Sequence, residues 1–182
     1  PDIILFSRPG EHEWIDVTAK DFVEHVRRVA KGLIGIGVEK GDRIALLSGA
    51  RYEWAVIDFA IMAAGATTVA IYPTSSLDQI QWIVEDSGAR VAIGETRDHG
   101  VNFEHLTDTN LQKILVFNDD AIGQLEEAGE SISDEVLDER IASIAHDDIA
   151  SLVYTSGTTG RSKGCIITHL NWIFQVRGLQ QH

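Results

Sequence analysis

The side chains best suited to chemistry sit in one run: Tyr154-Thr155-Ser156-Gly157-Thr158-Thr159-Gly160-Arg161-Ser162-Lys163-Gly164. Glycines lack a Cβ, so they allow tight turns and bring peptide N–H groups close to a ligand. Hydroxyls and N–H groups donate to phosphate oxygens, and the Lys163 ammonium adds a mobile positive charge. The run follows a short apolar stretch, Ile149 to Tyr154, so the loop leaves the end of a strand. This combination predicts a polyphosphate-binding loop; the plainer alternative is a solvated Gly/Ser/Thr linker.

The NTPase P-loop, G-x-x-x-x-G-K-[ST], does not fit. Counted from Gly157, its second glycine would fall on Ser162, and Lys163 is followed by Gly164 rather than by a hydroxyl for magnesium. No G-x-G-x-x-G follows a strand either. Elsewhere the chemistry thins out. His12-Glu13 lacks a second histidine four residues on, and His99 and His105 beside Asp98, Glu104 and Asp108 read as a wet surface. Cys165 reads as a small apolar core residue, and His169 as a structural residue at a helix start. The four tryptophans, Trp14, Trp54, Trp82 and Trp172, are spread among separate elements and suit packing. The turn Tyr72-Pro73-Thr74-Ser75-Ser76 supports two readings, a ligand crevice at a strand's carboxyl end or a plain helix cap.

The run from Tyr154 to Gly164, with Ile167-Thr168-His169 and Asn171, resembles the phosphate-binding signature of the adenylate-forming (AMP-binding) enzymes. The signature's usual form carries proline where this chain has Ser162, which leaves the loop less rigid. Further stretches are similar to bacterial long-chain fatty acyl-CoA synthetases: Arg51-Tyr52-Glu53-Trp54, Asp58-Phe59-Ala60, Ala64-Gly65-Ala66, Ile71 to Ser76 and Trp82 to Ser87. An aryl-CoA ligase or a peptide-synthetase adenylation domain is the alternative within the superfamily. A non-catalytic nucleotide-binding or interaction module is the alternative outside it.

The resemblance implies a parent enzyme that joins ATP and a fatty acid into an acyl-adenylate and then passes the acyl group to coenzyme A. Thr155, Ser156, Thr158 and Thr159 are the expected phosphate donors, Gly157 and Gly160 the close-approach positions, and Lys163 the charged contact. Thr155 leaves the strand first, so it is the hydroxyl expected nearest the Mg²⁺ of MgATP. Arg161 occupies the signature's variable position and stays open between phosphate ligand and solvated charge. The resemblance also places the adenine- and ribose-binding motifs, a metal-binding glutamate and a catalytic lysine beyond residue 182. The chain is therefore expected to be a partial N-terminal AMP-binding domain, residues 1–182, with no catalytic residue of its own and no activity alone.

The elements that must position the loop follow from periodicity. Ile3 to Phe6 and Trp14 to Val17 read as strands flanking a turn at Pro9-Gly10. Thr18 with Asp21 makes a capping box for a helix whose stripe is Ala19, Phe22, Val23, Val26, Ala30, Leu33 and Ile34, with Gly35 and Gly37 as the stop. Strands are expected at Arg43–Leu47, Thr67–Ile71, Arg90–Ile93, Lys113–Phe117 and Ile149–Thr155, with Cys165–Thr168 pairing back after the loop. Helices fall at about Tyr52–Ala64, from Ser76 to Asp86, and from Asn171 onward. The acidic stretch Gln124–Arg140 reads as two exposed helical pieces and the least ordered part. Strand and helix alternating in this way predict an α/β fold with a mainly parallel sheet.

Of 182 residues, 44% are hydrophobic and 24% charged, an ordinary globular composition. A net charge of −13 argues against a nucleic-acid partner and leaves small molecules as the expected ones. No stretch is apolar long enough to span a bilayer, and the single cysteine suits a reducing cytoplasm. Peripheral membrane contact stays open for the parent enzyme. Trp172, Ile173, Val176 and Leu179 form an apolar helix face expected to drive self-association of the chain.

Overall fold

Thr18 opens the first long helix with a complete capping box: its hydroxyl accepts from the Asp21 N–H, while Asp21 accepts from the Thr18 N–H. The computed structural model, which describes residues 3–10, 13–155 and 161–179, places this helix, α1, at Ala19–Gly35. Phe22, Val26, Val29, Ala30 and Leu33 face inward, whereas Val23, expected in the stripe, is exposed. Gly37 takes up a positive φ of 89° just after the helix, a conformation that suits glycine. Ahead of α1, strands β1 (Ile4–Pro9) and β2 (Trp14–Thr18) form a separate antiparallel ribbon.

The remaining strands are β3 (Arg43–Leu47), β4 (Thr67–Ile71), β5 (Val91–Gly94), β6 (Lys113–Val116), β7 (Ile149–Thr155) and β8 (Lys163–Thr168). They build one six-stranded sheet in the order β6-β5-β3-β4-β7-β8, parallel throughout except for β8, which runs back antiparallel to β7. The predicted α/β class, the parallel sheet and the return strand are all present. Along β3, Ile44 and Leu46 enter one core and Ala45 and Leu47 the other, so the strand is buried on both faces.

Helices cover each face. On the first lie α1, α2 (Tyr52–Ala63), α5 (Ala121–Gly129) and α6 (Asp134–Ala142); on the second lie α3 (Leu77–Ser87) and α4 (Arg97–Glu104). The helix α4 was not expected: its only buried residues are Gly100 and Phe103, too sparse a pattern to show in the sequence. The acidic stretch does form two helices, but it is not an exposed appendage. Leu125 and Leu137 are fully buried, and α5 lies so close to α1 that Gly32 and Gly35 meet the backbone of Leu125 and Ala128. One guanidinium nitrogen of Arg140 also donates to the carbonyls of Val38 and Ala64, at 3.2 and 3.0 Å, tying α6 to the end of α2. A last helix, α7 (His169–Leu179), follows β8. Among the described residues no helix is long and apolar enough to cross a membrane.

Candidate functional site: the loop between β7 and β8

Strands β7 and β8 are the stems of the predicted phosphate loop. Their register pairs Tyr154 with Gly164 and Thr155 with Lys163, so a hydroxyl residue and a lysine stand opposite each other at the open end of the hairpin. Both are exposed. Ser156, Gly157, Thr158, Thr159 and Gly160 lie outside the described residues. Because β7 runs parallel to β4, the hairpin opens at the carboxyl edge of the sheet, where ligands of open α/β folds bind.

Below the opening the stems are pinned. A Cβ at Gly164 would lie 3.2 Å from the Tyr154 ring, so the ring packs across a residue that has no side chain. The Tyr154 hydroxyl donates to Asp86 Oδ2 at 2.7 Å. Burial pushes the Tyr154 phenol well above its ordinary value, and the Asp86 carboxylate adds to the rise, so the group stays a donor at any physiological pH. On the other stem the Trp82 indole Nε1–H donates to the Ser162 carbonyl at 2.9 Å. The Arg161 guanidinium carbon sits 4.6 Å from the centre of the Trp82 ring. The sequence assigned Trp82 to packing alone. Nothing local tied it to a loop 80 residues away.

Two cavities border these stems. One of 520 Å³ lies between α3 and the stem, lined by Asp78, Gln81, Trp82, Glu85, Arg161 and Ser162 among others. The other, of 340 Å³, has Tyr72, Thr74, Ser75, Ile83, Tyr154 and Ser162 in its wall. The cap reading of the Tyr72–Ser76 turn is observed, and the turn also borders a cavity. Ser76 caps α3 in a box with Gln79, and Tyr72, Thr74 and Ser75 line a cavity beside the loop.

A second polar cluster occupies the carboxyl ends of β3 and β5, where the chain leaves toward opposite faces. Glu95 accepts from the Gly49 N–H at 2.9 Å and the Ser48 hydroxyl at 3.2 Å, and pairs with Arg51 at 3.4 Å. These contacts, the Gly49 N–H first, hold its carboxyl below the usual range. Arg51 also binds Glu53 at 2.7 Å. Arg51 is thus shared between two carboxylates, and the cluster braces the two loops.

The other candidates fall out individually. Asp98, Glu104, His105 and Asp108 are exposed, as expected, but His99 is half-buried and its Nδ1 accepts from the Glu95 N–H at 3.3 Å. His169 is half-buried and burial lowers its pKa; its N–H donates to the Asp148 carbonyl at 3.1 Å, a structural contact at the start of α7. His12 lies outside the described residues. Cys165 is exposed rather than in the core, because β8 is uncovered on both faces from Lys163 to Ile166. Trp14 and Trp172 are likewise exposed, at 70% and 37%, so packing explains only Trp54 and Trp82. Among the described residues no group of three His, Cys, Asp or Glu side chains could hold a metal.

Comparison with known proteins agrees with this geometry. The family model described as AMP-binding enzyme matches residues 1–182. A long-chain-fatty-acid–CoA ligase, FadD15, of Mycobacterium bovis is 40% identical over 100% of this chain, which spans 31% of that protein's length. Among solved structures, a long-chain-fatty-acid-CoA ligase (FadD1) from Archaeoglobus fulgidus superposes with a TM-score of 0.76 at 21% identity, covering 98% of this chain and 35% of the other. ATP-bound MatB from Rhodopseudomonas palustris gives 0.73 at 25% identity, covering 91% and 32%. A glycine loop between strands of a mainly parallel sheet, matched along its whole length by one family, places this chain among the AMP-binding enzymes.

Proposed function

We propose that residues 1–182 are the first part of the nucleotide-binding domain of an ATP-dependent long-chain fatty acid:CoA ligase. The observation that carries this reading is the pairing of Thr155 with Lys163 at the mouth of a hairpin on the sheet's carboxyl edge. There Lys163, the hydroxyls of Thr155, Ser156, Thr158 and Thr159, and the backbone at Gly157 and Gly160 hold the β- and γ-phosphates of ATP. A fatty acid carboxylate, already ionised, attacks the α-phosphorus, and the bond to pyrophosphate breaks. No general base is needed. The sulfur of coenzyme A then attacks the acyl-adenylate carbonyl, losing its thiol proton, and AMP leaves with the former carboxylate oxygen.

The chain's share of catalysis is positioning and charge stabilisation of the departing pyrophosphate. Magnesium adds charge neutralisation when bound. Thr155, exposed at the end of β7, is the hydroxyl that would approach it. The remaining binding and catalytic groups come from outside residues 1–182, so the isolated chain is inactive. Its cytoplasmic setting follows from its substrates, ATP and coenzyme A. Produced alone, the chain self-associates through α7.

The test is AMP release by the intact protein with ATP, coenzyme A and a panel of fatty and aromatic acids. The expected result is turnover with long-chain fatty acids and none by residues 1–182 alone. Turnover confined to aromatic or amino acids would replace the fatty-acid reading. Robust ATP–pyrophosphate exchange by the isolated chain would overturn its inactivity.

A further inference from the structure

We propose that one face of α3, formed by Trp82 and Asp86, is the platform that fixes the β7–β8 loop by both stems, with Trp82 as its principal positioning residue. The inference rests on the phosphate-loop reading above and adds to it the part of the fold that sets the loop's position. Trp82 and Asp86 are four residues apart on a helix, and side chains so spaced lie on one face. Asp86 takes the Tyr154 hydroxyl at 2.7 Å, on the strand entering the loop. Trp82 donates to the Ser162 carbonyl at 2.9 Å, one residue before the strand leaving it. A single helical turn thus holds both ends of the hairpin.

The platform is itself rigid. Its amino end is fixed by the Ser76–Gln79 capping box after the Tyr72–Ser75 turn, and its carboxyl end by Gly88 at a positive φ of 63°. Ile80, Ile83 and Val84 bury its inner face against the sheet. Ser162 has no pyrrolidine ring to preset its φ. Its carbonyl is instead oriented by the indole, whose N–H is a donor only and needs an acceptor when it is removed from water.

The same indole settles the role of Arg161. With its guanidinium carbon 4.6 Å from the ring centre, the side chain spends its charge on the aromatic face. Arg161 belongs to the platform, and Lys163 is left as the cation of the hairpin's open end.

Three variants of the intact protein test this. Trp82→Phe keeps a ring for Arg161 but removes the N–H donor, Arg161→Ala removes the stack, and Tyr154→Phe removes the bond to Asp86. Amide hydrogen exchange over residues 161–165 is expected to quicken roughly three- to tenfold in Trp82→Phe, the equivalent of one hydrogen bond. Arg161→Ala should act in the same direction, and strands β3 and β4 should exchange as in the wild type. In steady-state assays Trp82→Phe should raise KM for ATP by a similar factor and leave KM for the fatty acid unchanged. If Trp82→Phe does not fold, Arg161→Ala and Tyr154→Phe decide the matter. Unchanged exchange and unchanged ATP kinetics in every folded variant would overturn the platform. A wild-type protein that releases no AMP with any acid would instead defeat the ligase reading alone, and the exchange data would still judge the platform.

Discussion

Lys163 carries more of the functional reading than any other described side chain. It is exposed, makes no ion pair among the described residues, and pairs in register with Thr155 at the hairpin mouth. Replacing it with alanine should weaken ATP use far more than fatty acid use. Loss of a charge-assisted contact costs ~1.5–3 kcal/mol, or roughly ten- to a hundredfold in KM for ATP. ATP–pyrophosphate exchange kinetics check this, and unchanged values would remove Lys163 from the site. Arg161 makes the contrast instructive. Two cations stand two residues apart, and only Arg161 has an aromatic ring, that of Trp82, at 4.6 Å among the described residues.

At the scale of elements, the close seat of α5 on α1 depends on glycine for lack of space. A Cβ at Gly32 would collide with the backbone of Leu125, and one at Gly35 with the carbonyl of Ala128. Alanine is intrinsically better than glycine inside a helix by ~1 kcal/mol. Overpacking typically costs ~1–3 kcal/mol, and here the obstacle is backbone that cannot swing aside. Gly32→Ala should therefore lower stability, read as a fall in the urea midpoint. Gly178→Ala, in α7 with nothing described within 4 Å of the new Cβ, should not. Equal behaviour of the two variants would mean that α1 and α5 are not packed this closely.

At the scale of the whole molecule, burial and charge set the response to pH and concentration. Asp58 is 8% exposed, and burial raises its pKa, opposed by a contact with Thr68. A carboxyl raised in the folded state favours folding fully below its unfolded pKa of about 3.9, and that contribution is lost as pH rises through the folded value. Asp58→Asn should thus gain stability relative to the wild type as pH climbs from acid toward neutrality, followed by urea midpoints across that range. A gain confined to acid pH would contradict the buried carboxylate. The proposed self-association face changes in one member: Trp172 and Val176 are exposed, whereas Ile173, assigned to the apolar face, is half-buried. With a net charge of −13, copies of the chain repel one another at low salt, so association should strengthen as salt screens them. Residues 1–182 should elute as a concentration-dependent oligomer that Trp172→Lys disperses. A monomer at every concentration and salt would end the proposal.

What the sequence determined by itself was local and repetitive. The strands Arg43–Leu47, Thr67–Ile71 and Ile149–Thr155, the capping box at Thr18, the cap at Ser76, and the return strand after the loop were all legible. Each rests on periodicity or on a hydrogen bond spanning three residues. The phosphate loop was legible as composition, and its stems as strands. Only the tertiary structure decided what those elements meet. It buried Leu125 and Leu137 under an acidic surface, and for Leu125 the reason is that glycines let α5 approach α1 closely. It exposed Cys165, because no described helix covers that part of β8. It also brought Trp82 and Asp86 to a loop 80 and 68 residues away, since strand order places β7 beside β4 and so α3 beside the hairpin. Sequence distance says nothing about such pairings. They come from the right-handed crossovers that order a parallel sheet.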